Sequence, residues 1–309
     1  MVKNVGFICP DYYKEFKCIA GECRHSCCIG WEIDIDEESC KKYQAVPGEF
    51  GARLLAHIQE ENGVAHFVLD EKERCPFLNE KGLCDIYTAL GEDALCGICT
   101  DHPRFRNFFE DRTEIGLGLC CEAAAELILK KEEKTKLMVL NDTGEEETDE
   151  DDAACLMARD EIFAVLQDRT FSLEDRLSRL QEEYEITFSL SDTSAWADAF
   201  FELEYMDDSF TEMLLSLKKE NIDFFAPIQR DEIAFEQLAV YFIFRHFKDF
   251  WDEGAEGFAV GLMIISLRMI HALYRNEGKA LLDIARLYSA EIEYSEENTE
   301  ALTEYIELG

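Results

Sequence analysis

Thirteen cysteines dominate the chemistry that this sequence could perform, and twelve of them lie at or before Cys121. Thiolates are soft ligands that suit Zn²⁺ and iron–sulfur clusters, and four of them close a tetrahedral site or hold one cubane. The densest groups have these spacings: Cys18-x4-Cys23-x3-Cys27-Cys28, Cys75-x8-Cys84, Cys96-x2-Cys99 and Cys120-Cys121. The pattern therefore predicts a metal centre within the first 121 residues.

The spacing does not choose between zinc and iron–sulfur, because both accept shells made only of thiolates. It matches neither a zinc ribbon nor a bacterial ferredoxin. The C-x3-C-x2-C pattern of radical enzymes that use S-adenosylmethionine would need a cysteine where Gly30 stands. Two centres, or one ligand from each adjacent pair such as Cys27-Cys28, both stay open. Cys9, Cys40 and Cys155 stand alone, and we expect them to be buried free thiols.

The chain is strongly acidic, with 30 Lys and Arg against 67 Asp and Glu and a formal net charge of −37. Such a surface repels a phosphate backbone, so nucleic acid is not an expected partner. The acidity favours solubility, and it could also attract a basic partner. A length of 309 residues with 47% hydrophobic residues predicts a globular protein of one large or two ordinary domains.

Nothing in the first six residues has the apolar core of a secretory signal, and the longest apolar stretch runs from Gly257 to Leu267. That stretch falls well short of the roughly 20 residues that span a bilayer, so it predicts a buried helix and no membrane partner. We therefore expect a cytoplasmic protein. In that reducing compartment, clustered cysteines are more often metal ligands than disulfides.

Hydrophobic periodicity predicts a mainly α protein in three parts. Residues 1–133 form an irregular Cys-rich metal-binding domain with a few short β-strands, 134–152 an acidic linker or loop, and 153–309 an all-α helical domain. The specific expectations for the first part are helices at 37–44 and 48–60 and strands at 65–69, 75–78 and 113–119. Those for the last part are helices at 194–219, 231–252, 257–275, 278–293 and 295–307.

The residues around the cysteines carry a longer pattern. Its parts are Phe16-Lys17-Cys18-x4-Cys23-x3-Cys27-Cys28-Ile29-Gly30-Trp31-x-Ile33-x-Ile35-Asp36, Cys75-Pro76-Phe77-Leu78, Gly82-Leu83-Cys84-Asp85-Ile86, Cys99-x2-His102-Pro103-Arg104, Leu117-x-Leu119-Cys120-Cys121 with Ala124-Ala125 and Leu127, and Phe235-Glu236-Gln237-Leu238 through Tyr241-Phe242-Ile243-Phe244-Arg245-His246-Phe247. These parts resemble the flagellin lysine-N-methylase family, which lies within a broader group of cysteine-cluster proteins regarded as zinc or iron chelators. The resemblance covers nearly the whole chain.

The resemblance implies a set of metal ligands that leaves the other five cysteines outside: Cys18, Cys23, Cys27, Cys28, Cys75, Cys84, Cys99 and Cys121. One departure affects the last ligand. The family usually has proline and glutamate after the final cysteine, whereas Glu122-Ala123 follow here, and Cys120 replaces a small polar residue. Either Cys120 or Cys121 could therefore be the ligand.

The same resemblance implies an enzyme that transfers a methyl group from S-adenosylmethionine to lysines of flagellin and contains an iron–sulfur cluster, [4Fe-4S] in type, with zinc as the alternative. The sequence names neither a catalytic base nor an S-adenosylmethionine site. A non-enzymatic zinc- or iron-binding chelator or interaction scaffold is the competing interpretation. Carboxylates and aromatic rings near the cysteines are candidates for holding a lysine: Tyr12, Tyr13, Trp31, Asp34, Asp36, Asp101 and Glu122.

Overall fold

The computed structural model describes residues 6–141, 149–220 and 222–309. Within them the protein is mainly helical, as the sequence predicted. The helices are α1 Glu37–Gln44, α2 Gly48–Ala56, α3 Asp85–Leu90, α4 Gly97–Asp101, α5 Glu122–Leu129, α6 Glu150–Leu166, α7 Leu173–Glu183, α8 Thr193–Phe201, α9 Asp208–Lys219, α10 Glu232–Asp252, α11 Glu256–Glu277, α12 Leu281–Tyr288 and α13 Glu296–Thr303. The strands are β1 Gly6–Pro10, β2 Asp34–Ile35, β3 Ile58–Glu61, β4 Val64–Phe67, β5 Arg104–Phe108, β6 Arg112–Leu117, β7 Leu137–Asn141, β8 Ile186–Phe188 and β9 Ile306–Leu308.

The chain forms two compact units. One, here called the cysteine unit, comprises residues 17–104 and 121–123, and the other, the helical unit, takes the described residues before 17, those of 105–120 and those after 123. This division differs from the boundaries expected from the sequence. The reason is that β1 pairs in parallel with β6 and antiparallel with β7. These early strands therefore belong with the helices that follow.

The cysteine unit is built on a small antiparallel sheet of order β2-β4-β3. Its β3–β4 hairpin turns at Asn62 and Gly63, which both have positive φ, as a type I′ turn requires. Phe77 is completely buried beside this sheet, with its ring centroid 5.0 Å from that of Phe67. The core of the unit is therefore aromatic on one side of the hairpin.

Predictions for the cysteine unit were partly confirmed. The helix expected at 37–44 is α1, and its N-cap is Asp36, whose side chain accepts a hydrogen bond from the Ser39 amide. The helix expected at 48–60 ends at Ala56, because the following residues pair with β4. The strand expected at 75–78 was wrong. Only Leu78 and Cys84 form an isolated bridge there, and the Asn79 side chain accepts the amides of the turn between them.

The helical unit surrounds the helix pair α10 and α11. By length and composition α11 could cross a membrane, but 89% of its most apolar 18-residue window is buried inside the fold. It occupies the place of a core helix, as the sequence predicted for its apolar stretch. The helices expected at 231–252 and 257–275 agree with α10 and α11 within two residues.

Other expectations for the predicted all-α domain, residues 153–309, need correction. The helix expected at 194–219 is interrupted between Phe201 and Asp208. The one expected at 278–293 divides into α12 and a π-helical turn, Ser289–Glu293. The part predicted to be all-α also contains one antiparallel strand pair, β8 with β9. Within the expected linker, residues 137–141 form β7, residues 142–148 lie outside the described residues, and α6 begins at Glu150.

Candidate metal centre

All eight cysteines of the expected ligand set lie in the cysteine unit, although more than one hundred residues separate the first from the last in sequence. Every cysteine of the chain is a free thiol. Cys40 and Cys96 also belong to this unit, whereas Cys9, Cys120 and Cys155 belong to the helical unit, where all three are buried.

The donor types suit zinc or an iron–sulfur cluster. No group of three or more His, Cys, Asp or Glu side chains within the described ranges has an arrangement that could hold a metal ion.

Several of these thiols belong to the hydrophobic core of the unit. Cys75 and Cys96 are core members, and Cys28, Cys84 and Cys99 pack against the same core. The backbone joins two of their segments, since the Cys75 amide donates to the Cys28 carbonyl at 2.8 Å. Burial raises the pKa of Cys75 to about 12, and the neighbouring Cys28 and Cys84 add to the shift. Without a cation the Cys75 thiol is therefore protonated at neutral pH.

Cys96 and Cys99 form a close pair at the start of α4. The Cys99 thiol donates a hydrogen bond to Cys96, which lowers the pKa of Cys96 and raises that of Cys99. The Thr100 amide donates to the Cys96 carbonyl at 3.0 Å and opens the helix. Cys96 lies outside the expected ligand set, yet it belongs to the same core as Cys75, against which Cys28, Cys84 and Cys99 pack. Its C-x2-C spacing with Cys99 was the sequence signal for this pair.

A second set of thiols lies nearer the solvent. Cys18 and Cys27 are exposed, and Cys23 and Cys121 are half-buried. The hydrogen bond to Cys28 and burial raise the pKa of Cys27, and Cys18 and Cys121 add smaller contributions to the shift. The Cys23 thiol lies 3.7 Å from Glu122 Oε2 and 3.3 Å from the carbonyl of His25. The first cysteine segment and the last cysteine are thus brought together.

Glu122 and Arg24 hold that junction. Glu122 accepts the Arg24 amide at 2.9 Å through Oε2 and the Arg24 Nε at 2.8 Å through Oε1. Burial by itself raises the pKa of Glu122, but the hydrogen bonds from Arg24 outweigh it and hold the pKa below its usual value. The Glu122 carboxylate therefore stays ionised at neutral pH beside Cys23. Among the carboxylate and aromatic candidates from the sequence, Glu122 has the best-defined contact with a thiol.

The adjacent residues Cys27 and Cys28 connect the two sets. The Cys27 thiol donates a hydrogen bond to Cys28, which lowers the pKa of Cys28 to about 7 and raises that of Cys27. Ser26 also donates to Cys28, and the charge of Arg74 lowers its pKa further. The lowered pKa favours the thiolate form of Cys28, which is the form that binds metal cations.

Asp36 fixes the position of α4 relative to α1. Its Oδ2 accepts the Gly97 amide at 2.8 Å, while Oδ1 accepts the Ser39 amide at 2.8 Å. These hydrogen bonds, with that from Gly97 the largest contributor, lower the pKa of Asp36 to about 2. Asp36 therefore has a positioning role beside Cys96 and Cys99. The other candidates named from the sequence divide between the units: Tyr12 and Tyr13 in the helical unit, and Trp31, Asp34 and Asp101 in the cysteine unit.

The helical unit contains a buried ionic cluster centred on Glu293. Glu293, at the end of the π-helical turn, lies 3.4 Å from Arg245 Nε and 2.9 Å from His246 Nε2. Arg245 lies over the rings of Phe105 and Tyr294, with 5.0 and 4.6 Å to their centroids. Burial raises the pKa of Glu293, but Arg245 and His246 outweigh it and keep the pKa low. In the sequence, the adjacent residues Arg245 and His246 within an otherwise apolar helix are the feature that could have indicated this cluster.

Comparison with known proteins places these observations in context. The chain is 28% identical over 142 residues to a lysine-N-methylase of Salmonella choleraesuis and, equally, to one of Salmonella typhimurium. Each alignment covers 41% of this chain and 33% of the relative, so the chain spans about a third of the length of these curated relatives. It is also 27% identical over 135 residues to the flagellar biosynthetic protein FliU of Salmonella muenchen, covering 41% of this chain and 79% of that protein.

No protein-family model and no solved structure matches the chain. The names of the curated relatives agree with the resemblance that the quoted motifs carry. The resemblance of this chain to the lysine-N-methylase family is therefore confirmed.

Proposed function

We propose that this protein is a protein-lysine N-methyltransferase that uses S-adenosylmethionine and methylates flagellin in the cytoplasm. The observation that carries the proposal is the similarity to two proteins named lysine-N-methylase. The flagellar name of the third relative supports flagellin as the substrate. Because the alignments cover less than half of this chain, the activity of the whole protein is part of the proposal.

The reaction is a displacement at the sulfonium methyl group. The lysine ε-ammonium transfers a proton to a base, the resulting amine attacks the methyl carbon, the carbon–sulfur bond breaks, and S-adenosylhomocysteine leaves with the bonding electrons. The protein must bind the lysine, remove its proton and hold it in line with the methyl group. Carboxylates steer the lysine cation towards the enzyme, and the net charge of −37 gives the chain a surplus of them.

We further propose that cysteines of the cysteine unit bind an iron–sulfur cluster, [4Fe-4S] in type. What supports this is the gathering of eight expected ligands, as free thiols, in one compact unit. A centre bound there would supply structural support, because ligand segments distant in sequence would be joined through it. Zinc would provide the same support through the same thiolates.

A single set of assays tests the activity. The full chain is purified without oxygen and incubated with flagellin and S-adenosylmethionine carrying a labelled methyl group. We expect label on flagellin lysines, identified by mass spectrometry as methyl-lysine. Unmodified flagellin under these conditions, with a folded and metal-loaded protein, would contradict the methyltransferase proposal.

The second candidate is a non-enzymatic zinc- or iron-binding protein that acts as a chelator or an interaction scaffold. The free thiols favour it equally, since they require no methyl donor. It predicts metal binding without binding of S-adenosylmethionine. Calorimetric titration of the metal-loaded protein with S-adenosylmethionine distinguishes the two functions, because only the methyltransferase should give saturable heat.

A further inference from the structure

We propose that Cys96 and Cys99 form a reversible redox site, at which a peroxide oxidises the two thiols to an intramolecular disulfide. The inference goes beyond the proposed function, because it concerns a covalent modification of the chain and not the methyl transfer. It rests on contacts within the cysteine unit and does not depend on the methyltransferase activity.

Local structure turns the two side chains towards each other. Cys96 is the N-cap of α4, with extended backbone angles of φ −70° and ψ 163°, and Cys99 is the third residue of that helix. An N-cap side chain faces the third helical residue, which is the relationship that a capping box uses. The Cys99 thiol accordingly donates its hydrogen bond to Cys96. The two sulfurs that would form the bond are therefore neighbours before any oxidation.

The backbone on either side of Cys96 is held in place. The buried Tyr43 hydroxyl donates to the Ala94 carbonyl at 2.9 Å, two residues before Cys96. Asp36 Oδ2 accepts the Gly97 amide at 2.8 Å. A Cβ atom at position 97 would lie 3.2 Å from the same oxygen, so the glycine allows the carboxylate to approach this turn closely. These anchors hold both cysteines on one short turn of the chain.

The pair combines a buried sulfur with an accessible one. Cys96 is 1% exposed and belongs to the core, whereas Cys99 is half-buried. The residues between and after them, Gly97, Ile98 and Thr100, are exposed, so Cys99 lies just below the surface. A small oxidant such as hydrogen peroxide can reach it. Burial of Cys96 disfavours bonds to other chains and leaves Cys99 as its partner.

The geometry favours this pair over the other hydrogen-bonded thiols, Cys27 and Cys28. Adjacent Cα atoms are about 3.8 Å apart, whereas an unstrained disulfide needs about 4.4–6.8 Å. The C-x2-C spacing of Cys96 and Cys99 is one that disulfide oxidoreductases use. Among the described residues, no third His, Cys, Asp or Glu completes a metal-binding arrangement with this pair. A disulfide requires only the two sulfurs that are in contact.

Hydrogen peroxide balances the reaction. One sulfur of the pair, as its thiolate, attacks a peroxide oxygen, so that a sulfur–oxygen bond forms and the oxygen–oxygen bond breaks. The departing hydroxide takes up the proton that the thiol released and becomes water. The second thiol then attacks the sulfur of the sulfenic acid, the sulfur–sulfur bond forms, and the oxygen leaves as a second water. Two thiols lose two electrons and two protons in total, and one peroxide is reduced to two waters.

The test follows the alkylation of individual cysteines. The full chain is purified without oxygen, treated with about one equivalent of hydrogen peroxide, alkylated, digested and analysed by mass spectrometry. We expect Cys96 and Cys99 to lose their alkyl groups together, in a peptide lighter by two hydrogen atoms, and to regain them after reduction with dithiothreitol. Cys40 is the internal control, because it packs against the same core but its thiol contacts the Ile35 carbonyl at 3.7 Å. It should be alkylated throughout.

The treatment is carried out on the protein as purified and again after a chelator has removed any metal. A disulfide between the two cysteines in either sample supports the inference, because metal bound at Cys99 would protect that sulfur in the first sample only. Full alkylation of both cysteines in both samples would overturn it. A disulfide that joins either of them to another cysteine instead would overturn it as well.

Variants and denaturant test whether the fold selects the pair. In Cys96→Ser, Cys99 has lost its partner, so peroxide should leave it as a sulfenic acid that dimedone traps, whereas Cys40→Ser should form the disulfide as the wild type does. Because Cys96→Ser removes a core residue and could fail to fold, the wild-type chain is also oxidised in denaturant. There the selectivity for this pair should be lost to a mixture of disulfides. The same mixture from the folded protein would contradict the inference.

Discussion

The carboxylate of Glu122 receives two hydrogen bonds from Arg24, at 2.8 and 2.9 Å, and so joins the first cysteine segment of the chain to the last. Nearly one hundred residues separate the two partners in sequence. The side chain of Glu122 is only 12% exposed, and its Oε2 also lies beside the Cys23 thiol. This pair provides the clearest link between the fold of the cysteine unit and the arrangement of its thiols.

Glu122→Gln should weaken the proposed binding of metal by the cysteine unit. The glutamine keeps the shape of the side chain, but it loses the charge that attracts Arg24 and cannot accept at both positions. Loss of a supporting contact around metal ligands typically costs about 10-fold or more in metal affinity. Competition with a chelator of known affinity measures this change. Glu126→Gln, one turn later on the same helix and half-exposed, is the control. Equal affinities in the two variants would contradict a supporting role for Glu122.

Asp36→Ala should destabilise the protein by about 1 kcal/mol, because α1 loses its N-cap and the Gly97 amide loses its acceptor. The pKa of Asp36 is lowered to about 2 in the folded protein, so its charge stabilises the fold. That contribution is complete above the unfolded-state pKa, near 3.8, and is lost as the pH falls towards 2.

Denaturant unfolding at several pH values checks this expectation. The difference in unfolding free energy between wild type and Asp36→Ala should be constant from pH 7 to about 5 and should shrink as the pH falls below about 4. Asp34→Ala, at an exposed position two residues earlier, serves as the control for removal of a surface charge. A difference that does not change down to pH 3 would show that the charge of Asp36 has no part in the stabilisation.

Glu293→Gln should destabilise the helical unit by about 3 kcal/mol, because it leaves the buried Arg245 without its counter-charge. Because the folded-state pKa of Glu293 is lowered, its stabilisation is present at neutral pH and is lost as the pH falls below its unfolded-state value. Thermal unfolding at pH 7 measures the loss. Glu300→Gln, exposed on α13, should unfold at the wild-type temperature. An unchanged unfolding temperature of Glu293→Gln would show that Arg245 does not need this counter-charge.

The proposed methyltransferase activity should depend on salt. A net charge of −37 attracts a lysine-bearing substrate over distances comparable to the Debye length. This length shortens from about 30 Å at 0.01 M salt to about 8 Å at 0.15 M. We expect the KM for flagellin to rise severalfold over this range, with little change in kcat. The KM for S-adenosylmethionine is the internal control. A flat KM for flagellin would show that the acidity does not steer the substrate.

Long periodic elements were predictable from the sequence because their signals are local. The helices α1, α10 and α11 follow from hydrophobic spacing and from cap residues such as Asp36, which act within one turn. The short elements were not predictable in the same way. β7 and β9 exist because distant strands pair with them, and a run of five or three residues has too little intrinsic preference to reveal this.

The sequence by itself predicted that cysteines are the metal-binding groups of this protein, and the family resemblance implied a set of eight ligands. It left open which cysteine segments lie together, since spacing along a chain fixes no distance between segments that are tens of residues apart. The tertiary structure shows which of these segments are in contact. Burial placed Cys75 and its neighbours against one core, and the ion pair of Arg24 with Glu122 brought Cys121 to the loop of Cys18. Contacts of this kind join segments that are distant in sequence. Local sequence patterns cannot predict them, because they depend on tertiary packing and long-range ion pairs.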